Sequence, residues 1–258
     1  MTLEQRIRSA EAELFATLGA EVAESSLDLA HTGLRVRLLA CGSGTPLVLL
    51  HGVSLSAAAW GPLFNALPGR RLLGVDLPGH GLSDPVRYRR GHVREHAGEL
   101  IDDIFDALGL DEAPVVAHSL GGMLALWHAA AGGQRISRLV AIGEPAVAVQ
   151  GVRVRLPLSL LTVRGLGVAV LRSPAPRRAY RRLLSQGLGR AEVAAAPDSL
   201  RTPGARSTRS RPRRWHEVPG EHGPWLVDTA RAAGLIETHL ASIASDRGPM
   251  NLQLGRGR

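Results

Sequence analysis

The sequence predicts an α/β fold in which a mostly parallel central sheet carries helices on both faces. Three continuous apolar runs suit central strands that are buried on both faces, and they end at His51, Asp76 and His118. Segments with helical spacing of apolar residues alternate with these runs, which is typical of parallel sheets built by strand-helix-strand connections. The chain has 258 residues, of which 45% are hydrophobic, enough for one such domain with a full core.

The elements follow in chain order. An amphipathic helix is predicted over 3–19, and two alternating segments separated by His31-Thr32-Gly33 indicate an antiparallel hairpin. The alternation that follows predicts strands over 46–50, 71–75, 114–118 and 138–142, and helices over 94–108 and 120–131. A last helix is predicted over 225–244.

The texture of the sequence changes after Pro145. Residues 146–200 are rich in leucine and arginine and are interrupted by prolines, which predicts a helical cap-like insertion. Residues 201–214 combine Arg, Pro, Ser and Thr with almost no apolar residues, which indicates an irregular connection, either disordered or a junction left by a deletion or frameshift. We expect a single domain over residues 1–258 that includes both segments.

The positive charge is concentrated in one part of the chain. All 31 basic residues are arginine, which suggests a codon bias, and residues 151–214 hold fifteen of them with only two acids. That segment alone has a net charge of +13, against +8 for the whole chain. Because the arginines lack interleaved aromatic residues and follow no groove-reading motif, we expect no nucleic-acid partner.

Composition also bears on location and cofactors. No stretch of 18 apolar residues and no usual secretory signal occurs, so we expect a cytoplasmic protein without a membrane span. The single cysteine, Cys41, allows no internal disulfide and belongs to no metal-ligand cluster. We therefore expect neither a metal nor another cofactor, and the sequence gives no prediction of the oligomeric state.

The segment from Val115 to Gly122 is typical of a nucleophile elbow. An apolar strand stops at His118, and a helix begins near Leu120, so Ser119 must occupy a sharp turn. Ala117 and Gly121 flank Ser119 at the positions where a large side chain would clash. The alternative is an ordinary junction of strand, loop and helix.

Four segments together resemble the α/β-hydrolase superfamily: His51-Gly52-Val53, the stretch 76–84 (D-L-P-G-H-G-L-S-D), the elbow, and 219–225 (P-G-E-H-G-P-W). The resemblance implies that Ser119 is the nucleophile and His222 the general base. It also implies that the backbone amides of Val53 and Leu120 form the oxyanion hole. The alternative for His222 is a surface histidine in a turn. The alternative for His51-Gly52 is a tight turn at the end of a strand, without a catalytic role.

The triad acid departs from the family pattern. The family places it after a strand between the cap and the histidine loop, but residues 188–214 contain no run of large apolar residues. Glu144 follows the strand next to the elbow strand, and some branches of the superfamily supply the acid from there. We expect Glu144 to fill this role, with a cap-hinge position beside Pro145 as the alternative.

The resemblance implies a serine-dependent hydrolase that acts on an ester, thioester or related small acyl substrate through an acyl-enzyme. Serine at the elbow argues against a haloalkane dehalogenase or an epoxide hydrolase, whose chemistry needs a carboxylate there. The same groups could serve a perhydrolase, an acyltransferase or a carbon-carbon bond hydrolase. The second class of function is an impaired or non-catalytic protein of this fold that lacks an effective acid, and the third is a protein-interaction role for the arginine-rich segment.

Overall fold

A computed structural model describes residues 1–53, 55–86, 93–143 and 224–241. In these residues it has six strands, β1 (Val22–Leu29), β2 (Leu34–Cys41), β3 (Thr45–Leu50), β4 (Arg70–Val75), β5 (Ala113–His118) and β6 (Ile136–Ile142). Its α-helices in the same residues are α1 (Leu3–Leu18), α2 (Gly61–Phe64), α3 (Val93–Leu108), α4 (Leu120–Ala130), α5 (Pro224–Val227) and α6 (Thr229–Ala241), with a 3-10 turn over Ala57–Trp60.

The described strands form one sheet in the order β1-β2-β4-β3-β5-β6. Strands β3, β4, β5 and β6 run parallel, whereas β1 and β2 are the predicted antiparallel hairpin and join through β2 to β4. The predicted mostly parallel sheet is therefore confirmed. The chain leaves β3 for β4 on one side and then returns to β5 on the other, and ligand crevices of open α/β sheets lie at such reversals, beyond the carboxyl ends of the strands.

Both faces of the central strands are buried, as their continuous apolar runs predict. In β3, Val48 and Leu50 belong to the core under α3 and α4, while Leu47 and Leu49 belong to the core under α1, α2 and α6. Successive side chains of a strand point to opposite faces, so an uninterrupted apolar run can contribute to both cores. The helices on both faces of the sheet follow from this pattern.

The helix predicted over 225–244 is divided in two. Helix α5 ends at Val227, and Asp228 then accepts a 3.0 Å hydrogen bond from the backbone N–H of Arg231, which caps the start of α6. A capping aspartate starts a new helix because its side chain satisfies an N–H group that has no partner within the helix. Leu226 lies in α5 and is 39% exposed.

Candidate active site

Ser119 occupies the turn between β5 and α4 in a strained backbone conformation. Its φ of 48° and ψ of −107° make it the one non-glycine residue with a positive φ in the part of the chain that the structure describes. Such a conformation costs about 1–3 kcal/mol and persists only where its surroundings enforce it. The Ser119 N–H donates to the carbonyl of Ile142 at 2.9 Å, and its own carbonyl accepts from Met123 at 2.9 Å. The strained turn of a nucleophile elbow is therefore present.

Two glycines let neighbouring chains approach this turn. A Cβ atom on Gly121 would lie 2.5 Å from the carbonyl oxygen of Leu50, because α4 begins directly against β3. A Cβ on Gly52 would lie 2.5 Å from Nδ1 of His118 and 3.1 Å from the Cβ of Ser119. The loop after β3 thus passes within contact distance of the elbow, which brings the Gly52-Val53 segment and Ser119 together.

The two amides expected to bind an oxyanion lie at the ends of elements that meet here. Leu120 is the first residue of α4, so its N–H has no carbonyl partner within the helix, and it stands at the positive end of the helix dipole. Val53 directly follows Gly52, and its side chain is 63% exposed. The role of these amides stays a prediction.

Three rings that the sequence analysis did not assign to the site, those of His118, Trp225 and Trp60, pack together beside the elbow. The buried ring of His118 meets Trp225 edge to face, with 4.9 Å between centroids, and Trp225 stacks on Trp60 at 4.4 Å. The indole N–H of Trp225 donates to the carbonyl of Ala59 at 2.7 Å. Helix α5 is therefore fixed against the elbow and the 3-10 turn. The sequence could have indicated a place for Trp225 near the site, because it follows the candidate base His222 by three residues.

His51 is buried and held in one tautomer. Its Nε2 accepts a 2.9 Å hydrogen bond from the N–H of Leu77, which leaves Nδ1 as the donor to the carbonyl of Gly52 at 2.8 Å. Burial lowers the pKa of His51 to about 4, against an opposing effect of the Gly52 carbonyl and of Asp76. The neutral ring links the loop after β3 to the loop after β4.

Side chains of the loop over 76–84 bind backbone groups of the neighbouring segments. The Asp76 carboxylate accepts from the backbone N–H groups of Ala57 at 2.6 Å and Leu82 at 2.9 Å. The Ser83 hydroxyl donates to the carbonyl of Asp76 at 2.6 Å and accepts from the N–H of Arg37 at 2.9 Å.

His222 and Glu144 lie outside the described residues, as do the cap-like insertion over 146–200 and the connection over 201–214. Their roles and bounds stay predictions. In the portions that the structure describes, no three His, Cys, Asp or Glu side chains are grouped to hold a metal ion, and no helix has the length and apolarity needed to cross a membrane.

Comparison with known proteins gives the same fold. A family model described as alpha/beta hydrolase fold matches residues 45–167. The chain is 30% identical over 131 residues to 2-hydroxymuconate semialdehyde hydrolase of Pseudomonas sp. (strain CF600), which covers 48% of the chain and 45% of that protein. It is 35% identical over 121 residues to haloalkane dehalogenase of Agrobacterium fabrum, which covers 46% of the chain and 39% of that protein.

Among solved structures, naproxen esterase of Bacillus subtilis superposes with a TM-score of 0.56 at 17% identity, covering 74% of the chain and 63% of the esterase. This likeness concerns the fold alone. The matches to the two curated relatives span less than half the length of either. The parallel sheet, the strained serine after β5 and the matched segment together show that the chain has an α/β-hydrolase fold.

Proposed function

We propose that this protein is a serine-dependent hydrolase of an ester, thioester or related small acyl substrate. The observation that carries the proposal is the elbow itself. Ser119 is a serine held at positive φ between a buried parallel strand and a helix, with the Gly52-Val53 segment in contact range. A strained serine of this kind needs a functional reason, and nucleophilic catalysis supplies one. The related proteins named above include hydrolases, which supports the reaction class.

The proposed reaction proceeds through an acyl-enzyme. Ser119 Oγ attacks the acyl carbon while His222 takes the hydroxyl proton, and the amides of Leu120 and Val53 stabilise the resulting oxyanion. His222 then gives the proton to the leaving alcohol or thiol. Water next attacks the acyl-enzyme while His222 takes a proton from it, and His222 returns that proton to Ser119 Oγ as the acid leaves. Glu144 orients His222 and stabilises its positive charge.

The position of Trp225 supports His222 as the base. Trp225 packs on His118, the residue before Ser119. Three residues span at most about 11 Å even when fully extended, and a tether of this length allows His222 to reach the elbow. A histidine in that range is a suitable partner for a serine nucleophile.

A fluorophosphonate probe and p-nitrophenyl esters of varied chain length test the proposal. We expect the wild type to be labelled and to turn over esters, Ser119→Ala to lose both, and Ser26→Ala, an exposed serine on β1, to keep both. Glu144→Gln should lower kcat by about 10⁴-fold if Glu144 orients the base. Unchanged turnover in Glu144→Gln would overturn that assignment.

The second candidate function is an impaired or non-catalytic protein of the same fold. It is favoured by the sequence of residues 188–214, which lacks a run of large apolar residues before the histidine loop, where the family carries its acid. Absence of any Ser119-dependent labelling or turnover in the wild type would support this alternative.

Because one relative is a 2-hydroxymuconate semialdehyde hydrolase, that semialdehyde belongs in the panel of substrates for the activity assay.

A further inference from the structure

A buried group of charged side chains lies outside the residues that carry the proposed chemistry. Arg37 of β2 is 4% exposed, Glu11 of α1 is 7% exposed, and Asp76, which follows β4, is fully buried. Nη1 of Arg37 lies 3.4 Å from Oδ2 of Asp76 and 3.3 Å from Oε1 of Glu11, and Nη2 pairs with the other oxygen of Glu11. The Glu24 carboxylate lies 3.2 Å from the same Nη2. One buried guanidinium therefore bridges Glu11 and Asp76.

Asp76 connects this group of charged side chains to two loops through hydrogen bonds. One carboxylate oxygen accepts the N–H of Ala57, in the loop after β3, and the other accepts the N–H of Leu82, in the loop after β4. Gly81 has a φ of 53°, and a Cβ atom there would overlap the Asp76 carboxylate. The backbone at Gly81 therefore packs directly against the Asp76 carboxylate, with no space for a side chain between them.

The loop after β3 contains Val53. Residues that follow β4 form hydrogen bonds with both ends of this loop. At its start, His51 accepts the N–H of Leu77, and at its end, Ala57 donates to Asp76. Within the loop, the N–H of Leu55 donates to the carbonyl of Gly52 at 3.2 Å. Because the Val53 side chain is 63% exposed, these anchors fix its backbone more than its own packing does.

We propose that Arg37, together with Asp76 and Glu11, positions the loop that presents the Val53 amide to the oxyanion. They are positioning residues, since none of them touches the reacting atoms. The inference rests on the proposed function, because it assigns Val53 its role as an oxyanion donor. Loss of the Arg37 cation leaves a buried carboxylate uncompensated, so Asp76 moves toward water and the Ala57 anchor is released.

Asp76→Asn is the direct test, with Asp103→Asn as a matched control. Asp103 is also buried and also accepts backbone N–H groups, but those of His31 and Thr32 in the turn of the β1-β2 hairpin, which β4 and β3 separate from β5. We expect Asp76→Asn to lower kcat on a p-nitrophenyl ester by about 10- to 100-fold with KM nearly unchanged, because a displaced oxyanion donor weakens the transition state alone. A trifluoromethyl ketone inhibitor, whose serine adduct carries an oxyanion, should lose affinity by the same factor.

Arg37→Met with Glu11→Leu provides a second variant that removes a cation and an anion together, so that folding does not depend on an unpaired Glu11. We expect this double variant to lower kcat by about 10-fold, again with KM retained. Far-UV circular dichroism and the melting temperature establish that each protein assayed is folded.

The outcomes separate the two proposals. A wild type with no Ser119-dependent turnover overturns the proposed function, and this inference with it. If the wild type is active but Asp76→Asn and the double variant keep the kcat of Asp103→Asn, the positioning role alone is wrong. A kcat loss without a matching loss of affinity for the ketone would also overturn it, because the defect would then lie outside the oxyanion hole.

Discussion

At the residue scale, the environment of each polar group decides its chemistry. His51 lies beside the elbow and is fully buried, yet both ring nitrogens are engaged with backbone groups, Leu77 on one side and Gly52 on the other. A protonated ring would lose the acceptor for the Leu77 N–H. His51 therefore stays neutral and acts as a structural link, whereas Ser119 is placed in the strained turn.

The lowered pKa of His51 predicts a loss of stability in acid. Its pKa is about 4 in the folded protein against 6.5 as the ordinary value, so the unfolded chain binds more protons between these two pH values. The His51 contribution is fully present above pH 6.5 and is lost as the pH falls toward 4, by about 3 kcal/mol in total.

Urea unfolding of the wild type and of His51→Gln at several pH values from 4 to 7.5 measures this contribution. We expect the difference in free energy of unfolding between the two proteins to shrink as the pH falls. A difference that stays constant across the range would show that the ring does not titrate in this way.

At the element scale, buried side chains connect segments that are distant in sequence. Asp103 of α3 accepts hydrogen bonds from the N–H of His31 at 3.0 Å, the N–H of Thr32 at 2.8 Å and the hydroxyl of Thr32 at 2.7 Å. Burial raises the pKa of Asp103, but these hydrogen bonds outweigh burial and bring the pKa below its usual value. The hairpin turn is thereby fixed to α3.

Replacing Asp103 by Asn should destabilise the protein without affecting the site. An amide nitrogen cannot accept the hydrogen bonds that one carboxylate oxygen receives, so we expect a loss of about 1–3 kcal/mol at neutral pH. Because the pKa is lowered in the folded state, the wild-type advantage is present above the ordinary carboxyl pKa and disappears as the pH falls through the folded value. Denaturant unfolding at pH 7 and at pH 3 checks both statements, and equal differences at the two values would contradict them.

At the scale of the whole molecule, one sheet joins two hydrophobic cores. Ile104 of α3 is buried in one core and Ile236 of α6 in the other, while neighbouring residues of the same strands enter both. A defect in either core therefore weakens a shared sheet. The described parts of the molecule should unfold as one cooperative unit.

Ile104→Ala and Ile236→Ala test this coupling. Each should lower the free energy of unfolding by about 2–5 kcal/mol, because each leaves a cavity in a close-packed core. Both should shift a single transition that tryptophan fluorescence and far-UV circular dichroism report together. Separate transitions for the two probes in either variant would show that the cores unfold independently.

Most of the described fold could be predicted from local pattern. Each central strand was readable because an apolar run ends at a polar residue, and the bounds differ from the structure by one or two residues, as at Ile136 for β6. The break at Asp228 was missed because helical periodicity continues across it, and only the capping hydrogen bond ends one helix and starts the next.

The sequence by itself determined the strand-helix alternation and the identity of the candidate nucleophile, since apolar periodicity and small residues around Ser119 are local properties. Only the tertiary structure decided that Trp225 packs on His118 and that Arg37 bridges Glu11 and Asp76. These pairs are separated by 26 to 107 positions, and no periodicity records which distant side chains share a buried space. Long-range contacts depend on how the completed sheet brings loop ends together, so they belong to the fold and not to any one segment.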